Sequence, residues 1–187
     1  MTTALATAQR AAAARVVRQI RREHFAVLAT SGETGAPHSA GVCYGAARDA
    51  HPLALYVMTR LHLLKARDVA RDPRVSLVIP VPRRVLSFLP PATVQVHGTA
   101  EILRWDDAAG RAVFSRFWMG RRILEGYDRA RAEGEQRVCF LRIALDDRAR
   151  SYLVGHPIWQ ARRDMEAATE RVSLAAAAAT TPERAGA

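Results

Sequence analysis

The stretch LALYVMTRLHLLKARDVARDPRVSLVI, residues 53–79, decides the fold. Its first part, LALYVM at 53–58, is apolar on both faces and reads as a buried strand. The period changes after Thr59, where Leu61, Leu64 and Val69, with basic residues and alanines between them, suit a short helix. The Asp72-Pro73 step closes that helix, because proline disfavours the helical conformation of the residue before it. RVSLVI, 74–79, then returns to strand. In this arrangement the Thr59 hydroxyl, the free N–H groups of a helix start and the side chains of Lys65 and Arg67 can converge on one phosphate. The same spacing suits an ordinary strand-to-helix connection with solvent-facing basic residues.

Upstream, residues 4–23 read as a helix with Leu5, Ala8, Ala12, Val16 and Ile20 on a 3.6-residue stripe. FAVLAT, 25–30, is a strand, SGETG, 31–35, a glycine-bearing turn, and the segment from His38 to Tyr44 the returning strand. GAARDAHP, 45–52, turns the chain into the strand of the opening stretch. Downstream, four prolines between Pro80 and Pro91 exclude a central strand throughout, with VLSFL inside the segment as an edge strand or a cover for the core. TVQVHGTAEIL, 93–103, is a long alternating strand in which Gly98 marks a bulge or bend. Residues 105–118 read as a helix opened by Asp106 and Asp107 and carrying Val113, Phe114, Phe117 and Trp118. A second helix spans 121–133, broken from the first near Gly120. CFLRIALD, 139–146, is a strand with SYLVG, 151–155, as its hairpin partner, and the chain ends in a helix and a fraying tail. Six or seven strands with short turns and few crossover helices predict a mainly β fold with accessory helices, an antiparallel barrel rather than a doubly wound sheet. The expected organisation is an N-terminal helix, 1–23, packing on the barrel or at a subunit contact, a barrel domain, 24–160, and a C-terminal helix and tail, 161–187.

The chain has 187 residues, 49% of them hydrophobic and 25% charged, with a formal net charge of +10. These values suit one folded domain with a real core, exclude a mostly disordered chain, and leave no apolar run near the ~18 residues of a membrane span. Lys65 is the only lysine, so arginine supplies nearly all the positive charge, a composition typical of a high-GC bacterial genome. No helix-turn-helix, zinc-finger spacing or aromatic platform accompanies it, so no specific nucleic-acid partner is expected. Cys43 and Cys139 lack metal-ligand or redox spacing, which points to two free thiols in a reducing cytoplasm, with a single disulfide as the alternative. Arg10, Arg15 and Arg18 interrupt the early alanines, unlike a secretory leader.

Neither a Walker phosphate loop nor a dinucleotide glycine fingerprint is present. His38, His51, His62, His97 and His156 form no metal-binding spacing, and of these His38 is the candidate for cofactor contact. Asp106 and Asp107 suit helix capping better than paired acid–base chemistry. Ser39, Ser76 and Ser87 fall in strand-like surroundings rather than in a nucleophile elbow, so hydrolase machinery is not visible. Trp105, Trp118 and Trp159 read as core or interface anchors, with Trp159, after GHPI, placed to cover a flat ring.

Taken in order, FAVLAT, PHSAGVCY, LALYVMT, LLKARDVARDPRVSLVI and VQVHGTAEIL resemble the pyridoxamine 5'-phosphate oxidase-like flavin-binding split-barrel family over about residues 20–155. The resemblance implies a six-stranded split barrel and a homodimer with FMN at its interface. It places His38, Ser39, Ala40, Gly41 and Val42 beside the flavin ring, Met58 and Thr59 at the strand end that meets the cofactor, and Leu64, Lys65 and Arg67 at the phosphate, with Lys65 the matching ligand. Where the oxidase pattern has Ser-Arg before that lysine, this chain has Leu63-Leu64, so a donor and a charge are lost; Arg60, Arg67, Arg83 or Arg84 are candidates to replace them. The Arg-x-His arrangement that holds pyridoxal phosphate in the true oxidases is reduced to His156, with Trp159 nearby. The expected activity is an FMN-dependent oxidoreductase moving hydride between flavin and a small organic substrate, with NADH or NADPH as the electron donor. The alternatives are an F420-dependent reductase and a flavin- or haem-binding protein without turnover.

Overall fold

The computed structural model describes residues 2–48, 50–82, 91–155 and 168–178. In chain order these form α1 (Thr2–Arg22), β1 (Phe25–Ser31), β2 (Pro37–Ala46), β3 (Ala54–Arg60), α2 (Leu64–Arg71), β4 (Arg74–Val81), β5 (Ala92–Arg104), α3 (Ala108–Ser115), α4 (Trp118–Ala132), β6 (Val138–Tyr152), β7 (Thr169–Ser173) and α5 (Ala175–Ala178). The strands follow the spatial order β3-β2-β1-β4-β5-β6-β7, and an additional β3–β6 pairing closes the first six into an antiparallel barrel with β7 on the edge of β6. The expected split-barrel architecture is present.

Two compact units divide the chain, each drawn from separate stretches of sequence. The first comprises His24–Val78 and His97–Leu145. Its β1–β2 hairpin turns at Gly35, whose φ of +80° favours glycine, and the turn is tied by Gly32 N donating to Ala36 O at 2.7 Å. The register pairs Thr30 with His38 and Leu28 with Ala40. Alternation sends Ala26, Leu28 and Thr30 inward and leaves Phe25 and Val27 exposed. α3 and α4 cover one face of β3 and β6 through a cluster of Tyr56, Met58, Trp105, Phe114 and Phe140. Trp105 stacks on Phe140 at 4.8 Å while its Nε1 donates to Asp128 at 2.9 Å, which satisfies the indole's polar edge.

The second unit comprises Met1–Glu23, Ile79–Val96 and Asp146–Ala187. α1 buries Ala12, Ala13, Val16 and Ile20 and packs on β7 and α5. Arg15 reaches Glu170 at 3.7 Å.

Several expectations change. The α1 stripe buries side chains only from Ala12 onward, since Leu5 and Ala8 are exposed. β5 runs unbroken through Gly98; glycine is needed because a Cβ there would overlap the Ala144 carbonyl. The break between α3 and α4 falls at Arg116 and Phe117, with Gly120 inside the next helix, where the Phe114 carbonyl and the Phe117 ring leave no room for a Cβ. Trp118 is 64% exposed and anchors no core within the chain. SYLVG is not a hairpin partner: β6 continues through it to Tyr152, and the partner is β7, within a segment read from sequence as helix and tail. The VLSFL strand, Ser87, Arg83, Arg84, His156 and Trp159 lie outside the described residues. Both cysteines are free. Among the described residues no helix is long and apolar enough to cross a membrane.

Candidate functional site

β3 delivers the chain into a three-residue turn closed by Leu63 N donating to Arg60 O at 3.0 Å, and α2 begins at Leu64. Leu63 is the N-cap in extended conformation and its side chain makes no cap hydrogen bond. Ala66 N and Arg67 N both donate to Leu63 O, which leaves the N–H groups of Leu64 and Lys65 with no acceptor among the described residues. The Lys65 ammonium likewise has no ion pair or hydrogen bond among the described residues, and its side chain is half-buried. Thr59, at the end of β3, is 1% exposed and its hydroxyl has no hydrogen-bond partner among the described residues. A buried hydroxyl left unpaired is costly, so this strand end and helix start hold unused donors of the kind that bind an anionic oxygen.

One turn further along α2, the buried Asp68 inserts beside the β1–β2 hairpin. Its carboxylate accepts from Thr30 Oγ1 at 2.7 Å, from His38 Nδ1 at 2.8 Å and from Arg71 Nη2 at 3.2 Å, while Arg71 also donates to Ser31 O at 2.6 Å. Burial alone would raise the Asp68 pKa, but the hydrogen bonds from His38, Thr30 and Arg71 outweigh it and hold the carboxyl below its ordinary value. Because the carboxylate accepts, Nδ1 of His38 carries the proton, and Nε2, on a half-exposed ring, is left without a hydrogen-bond partner among the described residues. Cys139, paired across the ladder with Thr59, has its thiol pushed up to about 11 by burial. An open cavity of about 370 Å³ adjoins the same turn, lined by Leu61, Leu103, Trp105, Arg131 and Val138.

Sequence similarity fits this arrangement. The model of the pyridoxamine 5'-phosphate oxidase family matches residues 12–148. The chain belongs to that family. Solved structures similar to this family member include a haem-binding protein from Mycobacterium smegmatis (22% identity, 89% of this chain and 60% of that one, TM-score 0.63). A conserved protein from Mycobacterium tuberculosis matches at 22% identity over 72% of this chain and 79% of that one, TM-score 0.52. A haem-storage protein from Vibrio cholerae matches at 18% identity over 71% and 89%, TM-score 0.54. The chain thus spans about 60% of the length of the first of these relatives. A search of curated proteins finds no match.

Among the sequence-derived candidates, Thr59 lies at the end of β3 and Leu64 and Lys65 open α2, so the three flank the same short turn. Leu64 is exposed and contributes its N–H group rather than its side chain. Arg67 is exposed and, two positions on, stands about 200° around the helix axis from Lys65, so it is not gathered with it. Arg60 is committed to Glu135 at 3.7 Å and lies over the Tyr127 ring. The Met58 side chain belongs to the core cluster and faces away from Thr59. The run from His38 to Val42 alternates: Ser39 and Gly41 are exposed, Val42 is buried, Ala40 is partly buried, and His38 turns to Asp68. Asp107 caps α3 as read, accepting from Gly110 N at 2.7 Å, whereas Asp106 does not cap and pairs with Arg104 on the surface. Sequence reasoning missed Thr30, Asp68 and Arg71. The available signal was an acid four residues after Leu64 and seven after Leu61, at the helical spacing of those apolar positions, although both leucines are exposed. No cluster of His, Cys, Asp and Glu fit for a metal ion occurs among the described residues.

Proposed function

We propose that this chain is an FMN-binding oxidoreductase. The observation that carries the reading is the set of unused donors at the β3–α2 junction: the buried Thr59 hydroxyl, the N–H groups of Leu64 and Lys65, and the Lys65 ammonium. This donor chemistry fits a phosphate monoester. Leucines at positions 63 and 64 supply only backbone, so the phosphate is held with fewer side-chain contacts than the family pattern provides. Bound FMN supplies hydride acceptance and donation; Lys65 and Thr59 fix its phosphate, and the outward-facing part of β2 at Ser39 and Gly41, with the Phe25 ring lying over Gly41, gives a wall for a flat ring. A second copy of the chain covers the exposed Phe25 and Val27 beside that wall and completes a cleft for a small organic substrate, with NADH or NADPH as electron donor. The test is the absorption spectrum and ligand mass of the protein purified without added cofactor, followed by FMN titration. Flavin bands with the mass of FMN support the reading; a deazaflavin band would replace FMN by F420, and a colourless chain that binds none of these ends it.

A second reading, haem binding without flavin turnover, is favoured by His38. A half-exposed imidazole whose Nδ1–H is held by a buried carboxylate presents Nε2 in the manner of a metal-ligating histidine. A Soret band lost in His38→Ala supports it.

A further inference from the structure

We propose that the outer face of β6 and β7 carries a second anion site, separate from the β3–α2 junction, for a small phosphorylated metabolite bearing hydroxyl groups, of the sugar-phosphate class. The register places Arg150 of β6 directly opposite Arg171 of β7. Directly opposed residues of an antiparallel pair share a face with Cβ atoms about 5 Å apart, and like charges in that position destabilise the pair. Both arginines are exposed and neither has an ion pair among the described residues. The acids of the two strands do not relieve them. Asp147 is occupied by Ser173 Oγ at 2.9 Å and Ala175 N at 2.7 Å. Glu170 alternates to the opposite face, where it meets Arg15. Asp146 lies four residues from Arg150 along an extended strand, about 13 Å away.

A cavity of about 270 Å³ opens beside this pair, lined by Thr93, Gln95, Arg150, Tyr152 and Thr169. Its wall is polar: three hydroxyls, an amide and a guanidinium. Arg150 belongs to this wall and Arg171 stands opposite it in the ladder; guanidinium forks carried from two opposed positions can match the oxygens of one phosphate bidentately, and hydroxyl and amide groups that both donate and accept match a polyol. The volume lies below the ~300–1,000 Å³ of drug-sized sites, which suits a phosphate with a short organic body. The opposed charges that weaken the empty ladder become the binding energy of the occupied one.

The test is calorimetric titration of the full chain with ribose 5-phosphate and, separately, inorganic phosphate at low salt, on wild type, Arg150→Gln, Arg171→Gln and Lys65→Ala. Ribose 5-phosphate is expected to bind wild type more tightly than inorganic phosphate. Each arginine variant is expected to lose about tenfold or more in affinity at this face, while Lys65→Ala, which removes only the phosphate contact of the β3–α2 junction, keeps the arginine-dependent binding. In phosphate-free buffer Arg171→Gln is expected to melt no lower than wild type, since it removes a like-charge pair, which separates lost binding from lost folding. Absence of saturable binding, or equal affinities in wild type and both arginine variants, overturns the proposal. So does arginine-dependent binding of a single-stranded oligonucleotide without binding of ribose 5-phosphate, which would make the face a nucleic-acid surface.

Discussion

The imidazole of His38 and the carboxylate of Asp68 meet at 2.8 Å, joining β2 to α2 across thirty residues of sequence. Thr30, directly opposite His38 in the β1–β2 register, donates to the same carboxylate oxygen. The helix that begins with the Lys65 donor set is therefore locked to the hairpin one turn later, and the junction is held in place before any ligand arrives.

Asp68→Ala is expected to destabilise the chain by about 3–5 kcal/mol, because it removes a buried acceptor and strands the groups that point at it. Urea denaturation measures it. A loss below about 1 kcal/mol would show that the lock contributes little.

The same carboxylate sets an acid limit. Its folded pKa lies below the ordinary value, so its stabilisation is complete above the usual carboxylate range and disappears as pH falls through the depressed folded value. Asp72, held at about 2 by Arg74, and Glu135, held at about 2 by Arg137, act with the same sign from partly buried positions. The urea midpoint of wild type is expected to fall more steeply than that of Asp68→Asn below about pH 4; parallel curves would remove Asp68 as the source.

Lys65→Ala is expected to weaken FMN by about 1.5–3 kcal/mol, or tenfold to more than a hundredfold, through loss of a charge-assisted contact. Fluorescence titration at fixed salt reads the change, and stability to urea should stay within about 0.5 kcal/mol of wild type because the Lys65 ammonium has no ion pair or hydrogen bond among the described residues.

Gly98→Ala is expected to cost about 1–3 kcal/mol by overpacking against the Ala144 carbonyl and the Leu145 Cα. Gly126→Ala, with open space around the new methyl group, is the matched control and should be neutral or stabilising.

Cys139, 2% exposed with its thiol pushed to about 11, is expected to resist iodoacetamide at pH 8 until the chain unfolds, while the half-buried Cys43 reacts first. Peptide mass mapping over time distinguishes the two.

Much of the barrel was legible because its strands carry local periods. RVSLVI and the alternating run at 93–103 fall inside observed strands, LALYVM does so from Ala54 onward, and Asp72-Pro73 ends α2 as read. Of the candidate site, the strand-to-helix connection was legible: Thr59 and Lys65, six positions apart, flank the turn between β3 and α2. His38 to Val42 was read as one contiguous contact, yet a strand points alternate side chains to opposite faces, so that run divides between the Asp68 lock and the outer wall.

The sequence by itself determined the order of elements as far as the start of β6, the barrel class and the basic helix start, since hydrophobic period, turn residues and proline act within a few positions of one another. Tertiary structure alone decided that Asp68 is buried, that β6 runs on past Asp147 to meet β7, and that Arg150 faces Arg171. The physical reason is that closure and register are set by the simultaneous packing of distant strands: whether an aspartate is solvated or buried under three donors, or an arginine faces solvent or its own like, depends on which residue lies opposite, and no local period encodes that.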